Sequence, residues 1–377
     1  MMSKSQYSVS VVVPTFKRPD LLIRCLAALM AQDFDATDYE VIIADDAACV
    51  ETRRAVEAWC GSKIRPYPGP AVRYVPVTGT HGPAAARNAG WRVARGEIIA
   101  FTDDDCIPAP TWLRAGLATF AGGDGVVGVS GRLIVPLQSM PTDYELNAAQ
   151  LASASFVTAN CFYRRACLAA IGGFDERFTS AWREDSDVYF TLLERYASDH
   201  RGRATTRDRP YYDTFEVRQP VVMVGAIPCG RSGDEHSSLD RAFVYAPDAV
   251  VIHPLRPARW GVSLSQQRKS MFNALLYKKH PVLYRQELQA APPWHYYGIA
   301  GALLAAMGGL LGRKRGLAFG AACLWMFMTG RFCCQRLERT SRKRRHVAEM
   351  LVTSVLIPPL SIFWRIRGAI KFRVFFL

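Results

Sequence analysis

Several features that would place the chain in other protein classes are missing from its sequence. The first ten residues, MMSKSQYSVS, contain no apolar stretch ahead of the first strand-like segment, so we expect no secretory signal. The 10 cysteines lack the spacing of metal ligands. The one close pair, Cys333 and Cys334, is adjacent in sequence and poorly suited to a disulfide. We therefore expect reduced cysteines and an intracellular protein.

Acidic residues are scarce in the last part of the chain. Residues 313–377 contain 14 Lys or Arg and 2 Asp or Glu, a net charge of +12, which leaves +2 of the total +14 for residues 1–312. The basic residues alternate with apolar runs and not with isolated stacking aromatics. This pattern favours an anionic membrane surface over nucleic acid as the partner.

An uninterrupted apolar run of about 20 residues, the length of a straight membrane crossing, is also missing. Residues 298–312 and 316–330 are two apolar segments of 15 residues each, and residues 347–364 form a third that contains Pro358 and Pro359. We expect a re-entrant or in-plane membrane arrangement rather than three clean spans. Two spans, or an ordinary buried helical subdomain, are the alternatives.

The first 135 residues alternate short β-branched runs with segments of helical spacing. Such alternation predicts an α/β fold, with a mostly parallel Rossmann-like sheet and helices on both of its faces. The strands are predicted at residues 8–13, 39–44, 72–77 and 97–102. The intervening helices are predicted within residues 18–32, 49–60 and 82–94.

Polar or charged residues follow each of these strands. Because the carboxyl ends of parallel strands meet at one edge of a sheet, we expect their side chains to converge there. In chain order the candidates are Pro14, Thr15 and Arg18, then Asp45 and Asp46, then Arg87, and finally Asp103, Asp104 and Asp105.

The three successive carboxylates in FTDDDCIP need a cation, because like charges at neighbouring positions repel and burial strengthens the repulsion. Asp103 and Asp105 have the D-x-D spacing that suits Mg²⁺ or Mn²⁺ held between carboxylates and phosphate oxygens. A solvated acidic turn is the alternative. The similar cluster Glu184, Asp185 and Asp187 begins an apolar helical segment, where the acids could serve only the helix dipole.

The segment Gly123–Gly128 fits the dinucleotide fingerprint G-x-G-x-x-G but stands in the wrong context. It follows a helix-like segment and precedes a strand, whereas phosphate binding requires the reverse order. We interpret it as a turn.

Taken in order, SVVVPTFKR, IIADDA, GPAAARNAG, IIAFTDDDC and GGFDERFTSAWREDSDVYF resemble the family 2 glycosyltransferases with a GT-A fold. The resemblance covers residues 8–196. It implies an inverting enzyme that binds a nucleotide sugar, most readily a UDP-sugar, with GDP- and dTDP-sugars as alternatives.

The resemblance also implies roles for individual residues. Asp185 matches the catalytic base, and Glu184 orients the acceptor or supports the base. Asp105, with Asp103 and His253 as further candidates, matches the metal ligands; an isolated histidine such as His253 could equally satisfy local hydrogen bonds.

The donor contacts implied by the resemblance lie at the strand ends. Asp45 and Asp46 match the nucleobase contact, although Asp before a helix is also a common cap. Arg87 lies at the start of a helix, where an anion or a uracil carbonyl could be held. The full set of implied substrate-binding residues is Pro14, Thr15, Arg18, Asp45, Asp46, Arg87, Asp103 and Asp104.

The sequence departs from the processive members of the superfamily. Their Q-x-x-R-W signature has its nearest match in Gln266–Ser270, QQRKS, which lacks the spaced arginine and the tryptophan. We therefore predict transfer of a single sugar, with a processive synthase or a non-catalytic nucleotide-sugar-binding membrane protein as alternatives. A nucleotidyltransferase would need a glycine-rich loop after the first strand, and PTFKRPDLL contains no glycine.

We predict a GT-A domain over residues 1–255, with a donor half 1–135 and an acceptor half 136–255. Residues 256–293 are predicted as a helical linker, and residues 294–377 as a hydrophobic, basic, membrane-associated α-helical region. Residues 197–240, rich in charge, glycine and proline, are predicted as loops over the site. The acceptor is expected to be a glycan or lipid-linked molecule at the cytoplasmic face of the inner membrane.

Overall fold

The structure is a computed structural model that describes residues 6–61, 69–123, 125–201 and 241–376. These residues form two compact units. We call residues 6–136, 151–201 and 241–254 the sheet unit, and residues 137–150 and 255–376 the helical unit. The predicted domain boundaries stay a prediction.

The sheet unit contains strands close to the four predicted positions and further strands after them. They are β1 Tyr7–Thr15, β2 Tyr39–Asp45, β3 Ala71–Pro76, β4 Gly96–Phe101, β5 Ile107–Pro108, β6 Gly128–Ile134, β7 Cys161–Arg164 and β8 Phe243–Ile252.

The helices alternate with these strands and then dominate the end of the chain. In the sheet unit they are α1 Pro19–Met30, α2 Val50–Cys60, α3 Pro83–Val93, α4 Trp112–Ala118, α6 Arg165–Ile171 and α7 Glu184–Arg201. In the helical unit they are α5 Asp143–Ala149, α8 Val262–Gln266, α9 Met271–Lys279, α10 Pro281–Leu283, α11 Trp294–Leu311, α12 Arg315–Leu337 and α13 Arg344–Phe372.

The sheet has the order β3-β2-β1-β4-β7-β6-β8-β5. The first four strands run parallel, as predicted, while β7 pairs antiparallel with β4 and β6, and β5 antiparallel with β8. The pair β6 and β8 is parallel again. The centres of β1 and β2, residues 11–13 and 41–43, are apolar and fully buried, because helices cover both faces of the sheet.

Helix α3 illustrates how the sequence sets these elements. Gly82 has a φ of 119°, in the region that favours glycine, and Pro83 takes the first helical position, where its fixed φ suits the helix. A Cβ on Gly90 would collide with the Val12 side chain, so glycine lets α3 pack closely on β1. This packing fixes the direction in which Arg87 leaves the helix.

Two predictions from the sequence can be compared with the structure at the edges of the sheet unit. Of the segment predicted as a turn, Gly123 directly follows the 3-10 turn Thr119–Gly122 and Gly128 begins β6, while residue 124 lies outside the described residues. The loop predicted from residue 197 is wrong at its start, because α7 continues to Arg201. Its remainder, residues 202–240, lies outside the described residues.

In the helical unit, one side of α13 is buried along the whole length of the helix. Its buried residues recur at helical spacing and are His346, Met350, Thr353, Ser354, Ile357, Pro358, Ser361, Arg365, Gly368 and Phe372.

Helix α5 is tied to this unit through Arg336 of α12. Arg336 donates to Asp143 Oδ2 at 2.7 Å and to Thr353 Oγ1 at 2.7 Å. Helices α12 and α13 are long and apolar enough to cross a membrane, by length and composition.

Candidate active site

Polar side chains meet at the carboxyl ends of β1, β2 and β4. Thr15 at the end of β1 pairs in register with Asp45 at the end of β2, and β4 lies on the other side of β1. The three strand ends therefore carry their polar residues to one edge, as expected for neighbouring parallel strands. Pro14 lies one residue before Thr15 in the β1 strand.

Asp104 ties the β1 end to the β4 end. Its carboxylate accepts a hydrogen bond from Thr15 Oγ1 at 2.8 Å and one from Arg18 Nη1 at 3.2 Å. Burial raises the pKa of Asp104 to about 6, against the opposing effects of Arg18 and Thr15. Asp104 thus lies inward and holds the two strand ends together; its predicted contact with substrate stays a prediction.

Asp105 and His253 lie together at the same edge. His253 directly follows β8, where its N–H donates to Ile134 O of β6, and its Nε2 lies 3.5 Å from Asp105 Oδ1. Arg18 Nη1 lies 3.8 Å from Asp105 Oδ2. The Nδ1 atom of His253 is buried and has no hydrogen-bond partner among the residues that the structure describes.

These atoms fit a divalent cation. Ligand atoms of Asp105, Cys106 and His253 all lie within 4.8 Å of one another. A carboxylate oxygen and an imidazole nitrogen at this separation can share one ion. Burial raises the pKa of the Cys106 thiol well above its ordinary value, so this sulfur stays protonated and is a poor ligand for a hard ion.

Arg87 joins the D-x-D segment to the second acidic cluster. The guanidinium is almost completely buried; it donates from Nη2 to Asp103 Oδ1 at 2.9 Å and from Nη1 to Glu184 Oε1 at 2.9 Å. Arg87 is thus occupied by two carboxylates of the protein. Its predicted donor contact stays a prediction, while the structure adds a role in holding Asp103 and Glu184 at one edge.

Glu184 and Asp185 differ in what their carboxylates contact. Both oxygens of Glu184 accept hydrogen bonds, one from Arg87 and the other from the N–H of Trp182 at 2.7 Å. Burial and then the neighbouring Asp185 raise the pKa of Glu184 to about 7, against Arg87. Glu184 is therefore anchored on both oxygens.

Asp185 is half-buried, and its Oδ1 accepts from the N–H of Ser186 at 2.7 Å. Burial raises the pKa of Asp185, against the Ser186 N–H, Arg87 and Arg183. Among the residues described, the hydrogen bond from Ser186 goes to one oxygen of this carboxylate. The other oxygen can accept a proton from an incoming hydroxyl.

Asp45 holds the turn that follows β2, and Asp46 contacts the residue before α3. The buried Asp45 accepts from the N–H groups of Ala47 and Cys49 and, at 2.7 Å, from the hydroxyl of Tyr74. Asp46 Oδ1 accepts from the N–H of Gly82 at 2.9 Å. Their predicted contact with a nucleobase stays a prediction.

Two residues at this edge have no counterpart in the sequence prediction. Tyr74 lies in β3, where its apolar ring fits the strand pattern, and the local sequence carries no signal that its hydroxyl reaches Asp45. Arg183 has a φ of 78° directly before Glu184, and no local pattern indicates a left-handed arginine.

The chain is similar to known glycosyltransferases. Residues 10–141 match the family model Glycosyl transferase family 2. The chain is 25% identical over 195 residues to the glycosyltransferase AglE of Haloferax volcanii, covering 48% of this chain and 60% of that protein. It is 26% identical over 269 residues to validoxylamine A glucosyltransferase of Streptomyces hygroscopicus subsp. jinggangensis, covering 61% of each.

The chain spans about three fifths of the length of these two relatives. Among solved structures, the mannosyltransferase PcManGT from Pyrobaculum calidifontis aligns with a TM-score of 0.49 at 18% identity, over 98% of this chain and 88% of that one. The predicted fold class is confirmed: the mixed sheet with flanking helices is that of the GT-A fold, and apolar helices follow it.

Proposed function

The chain belongs to the family 2 glycosyltransferases, and from that premise we propose that it moves one sugar from a nucleotide-sugar donor to a glycan or lipid-linked acceptor, with inversion at the anomeric carbon. A UDP-sugar is the first candidate donor, and assembly of cell-envelope or exopolysaccharide material is the proposed setting. The observation that carries the proposal is the bridge from Asp103 through Arg87 to Glu184. It brings the D-x-D segment and the proposed base to one edge of one sheet.

The donor side of the proposed reaction is the Asp105 end of this edge. Asp105 and His253 would hold a Mg²⁺ or Mn²⁺ ion. Asp103, two residues earlier in the chain, is the further proposed ligand. The chemistry that such an ion supplies when bound is neutralisation of the diphosphate charge as the sugar leaves. Arg18, a partly exposed cation at the same edge, would contact the diphosphate oxygens.

The acceptor side is the Asp185 end. Asp185 accepts the proton of the acceptor hydroxyl while that oxygen bonds to the anomeric carbon and the bond to the nucleotide diphosphate breaks. The sugar centre inverts in this single displacement. Glu184, anchored by Arg87 and the Trp182 N–H, keeps the turn that carries Asp185 in place.

The helical unit supports a membrane-associated enzyme. Large apolar side chains are exposed along its helices, among them Leu310, Leu311, Phe319, Phe327 and Ile370. An exposed apolar surface beside a strongly basic sequence is suited to anionic lipid. We therefore propose association with the cytoplasmic face of the membrane.

The test uses the purified full-length chain with a panel of UDP-, GDP- and dTDP-sugars and a mixture of lipid-linked and glycan acceptors. We expect transfer with Mn²⁺ or Mg²⁺, loss of transfer with a chelator, and a product whose anomeric configuration, measured by NMR, is opposite to that of the donor. A retained configuration would contradict inversion. Metal-independent transfer would contradict the metal site, and donor binding without turnover across the panel would favour a non-catalytic binder.

A further inference from the structure

Arg365, in the last part of α13, is a buried cation with few partners. The residue is only 3% exposed. Its Nη1 donates to Gln289 Oε1 at 3.1 Å, and its guanidinium lies 4.3 Å from the Phe376 ring centroid. Its Nε and Nη2 atoms are buried and have no hydrogen-bond partner among the residues that the structure describes. Most of the N–H donors of this arginine are therefore unmet inside the helical unit.

The two atoms without a partner form one edge of the planar guanidinium group. The N–H bonds along this edge are parallel and match the spacing of two oxygens of a carboxylate or a phosphate. Arginine side chains stay protonated in proteins, so burial cannot be relieved by loss of a proton. Because a buried cation without a counterion is destabilising, the edge of Arg365 calls for an anion.

A second arginine donates to the same residue that Arg365 contacts. Arg285 Nη1 donates to the Gln289 carbonyl oxygen at 3.4 Å, and the Tyr284 hydroxyl donates to Gln289 Oε1 at 3.0 Å. Two guanidinium groups and a phenol thus share one neutral residue as their acceptor. Amide oxygens carry only partial negative charge, so they compensate two cations less well than an anion would.

Gln289 can give way to a ligand. It directly follows the π-helical turn Tyr284–Leu288 and belongs to no helix or strand. Gln289 and Arg285 are both half-buried, so the donors that Gln289 now covers lie just below the surface of the helical unit. An anion that displaces the Gln289 side chain would meet Arg365 and Arg285 together.

The surroundings of these two arginines favour an anion that a lipid carries. The apolar side chains of Ile366, Ile370 and Phe375, close to Arg365 in the chain, are exposed. Phosphate is the anionic group that lipids place next to their hydrocarbon, and its oxygens suit the guanidinium edge. We propose that Arg365 and Arg285 form a binding site for a phosphate group, supplied by a phospholipid headgroup. The proposed sugar transfer does not use this site.

The test is the melting temperature of the full-length chain, purified in a neutral maltoside detergent, for wild type and Arg365→Met. The probes, at one ionic strength, are dihexanoylphosphatidylglycerol, inorganic phosphate, and dihexanoylglycerol, which lacks the phosphate. In wild type we expect dihexanoylphosphatidylglycerol to raise the melting temperature by about 2–4 °C. In Arg365→Met we expect no rise, and a melting temperature in detergent alone at or above that of wild type, because the unpaired cation is gone.

Two further variants complete the experiment. Arg367→Met is the matched control, because Arg367 lies two residues further along α13 and is exposed, and we expect it to keep the full rise. Arg285→Met removes the second cation, and we expect it to lose at least about half of the rise. If Arg365→Met does not fold, Arg285→Met decides the question.

The three probes distinguish the sources of the phosphate. A rise with inorganic phosphate equal to the rise with dihexanoylphosphatidylglycerol supports the site and makes free phosphate its ligand. The proposal is overturned if neither probe raises the melting temperature of wild type, or if dihexanoylglycerol raises it equally. It is also overturned if Arg365→Met or Arg285→Met keeps the full rise, or if Arg367→Met loses as much of it.

Discussion

The sheet unit and the helical unit depart from the usual distribution of polar and apolar groups in opposite directions. The sheet unit buries charges at its carboxyl edge, where Arg87 is 2% exposed and lies between two carboxylates. The helical unit exposes hydrocarbon, with Leu311 85% and Phe319 75% exposed. In soluble proteins most charged groups are exposed, and the contiguous apolar patches on the surface are small.

The difference shows that each departure is tolerated for its own physical reason. Buried charges in the sheet unit are paired with one another or accept backbone N–H groups, which offsets their loss of water. Exposed apolar side chains in the helical unit have no such pairing available, and only an apolar environment would remove their contact with water. The first departure is the basis of the proposed active site, and the second is the basis of the proposed membrane association.

The largest effect that this comparison predicts is at the proposed base. Asp185→Asn keeps the shape of the side chain but removes its ability to accept a proton, so we expect kcat to fall by about 10²–10⁴. Steady-state transfer kinetics measure the change. The matched control is Asp35→Asn, an exposed aspartate far along the chain from both acidic clusters, which should leave kcat unchanged.

The next effect concerns the exposed hydrocarbon of the helical unit. The double variant Leu311→Ser with Phe319→Ser removes two large apolar groups, and we expect partition onto anionic vesicles to fall by about 10–100-fold. Vesicle co-sedimentation measures it. Val50→Ser, an exposed apolar residue of the sheet unit, is the control and should have no effect; equal loss in both variants would contradict a specific membrane surface.

The smallest effect is a pH dependence of stability at Glu184. Its pKa in the folded chain, about 7, lies above the ordinary 4.5, mainly because it is buried. The folded chain therefore binds this proton more tightly than the unfolded chain, and stability falls as pH rises from about 5 to about 7. In metal-free protein we expect Glu184→Gln to lose part of this fall in melting temperature, leaving the parts due to Asp104 and Asp185, whose pKa values are also raised by burial. Parallel curves for the variant and wild type would contradict burial of an ionisable Glu184.

The sequence predicted the first half of the sheet unit well, because β-branched runs alternating with helical spacing are a local signal that the tertiary fold does not override. Convergence of Thr15, Asp45 and Asp105 followed from the rule that parallel strands share a carboxyl edge. The antiparallel insertion of β7 between β4 and β6 did not follow, because strand pairing depends on contacts between residues far apart in the chain.

The same limit applies to the partners of individual side chains. Arg87 was predicted to hold an anion or a uracil carbonyl, yet its guanidinium contacts Glu184, 97 residues away, and Asp103. Local spacing carries no information on such a pair. The left-handed backbone of Arg183 could not be predicted for a different reason. A positive φ is inferred from the sequence where glycine or asparagine occurs, and not where arginine occurs.

Binding of Mn²⁺ together with UDP is the most direct test of the central claim that Asp105 and His253 hold a divalent ion against a nucleotide diphosphate beside the proposed base. The measurement is the melting temperature of the full-length chain with UDP, Mn²⁺, both, or both plus a chelator, in wild type and in Asp105→Asn. The account predicts a rise in wild type that requires UDP and Mn²⁺ together and is absent in Asp105→Asn, whose circular dichroism spectrum stays unchanged. The same rise in Asp105→Asn, or in wild type with chelator, would contradict it.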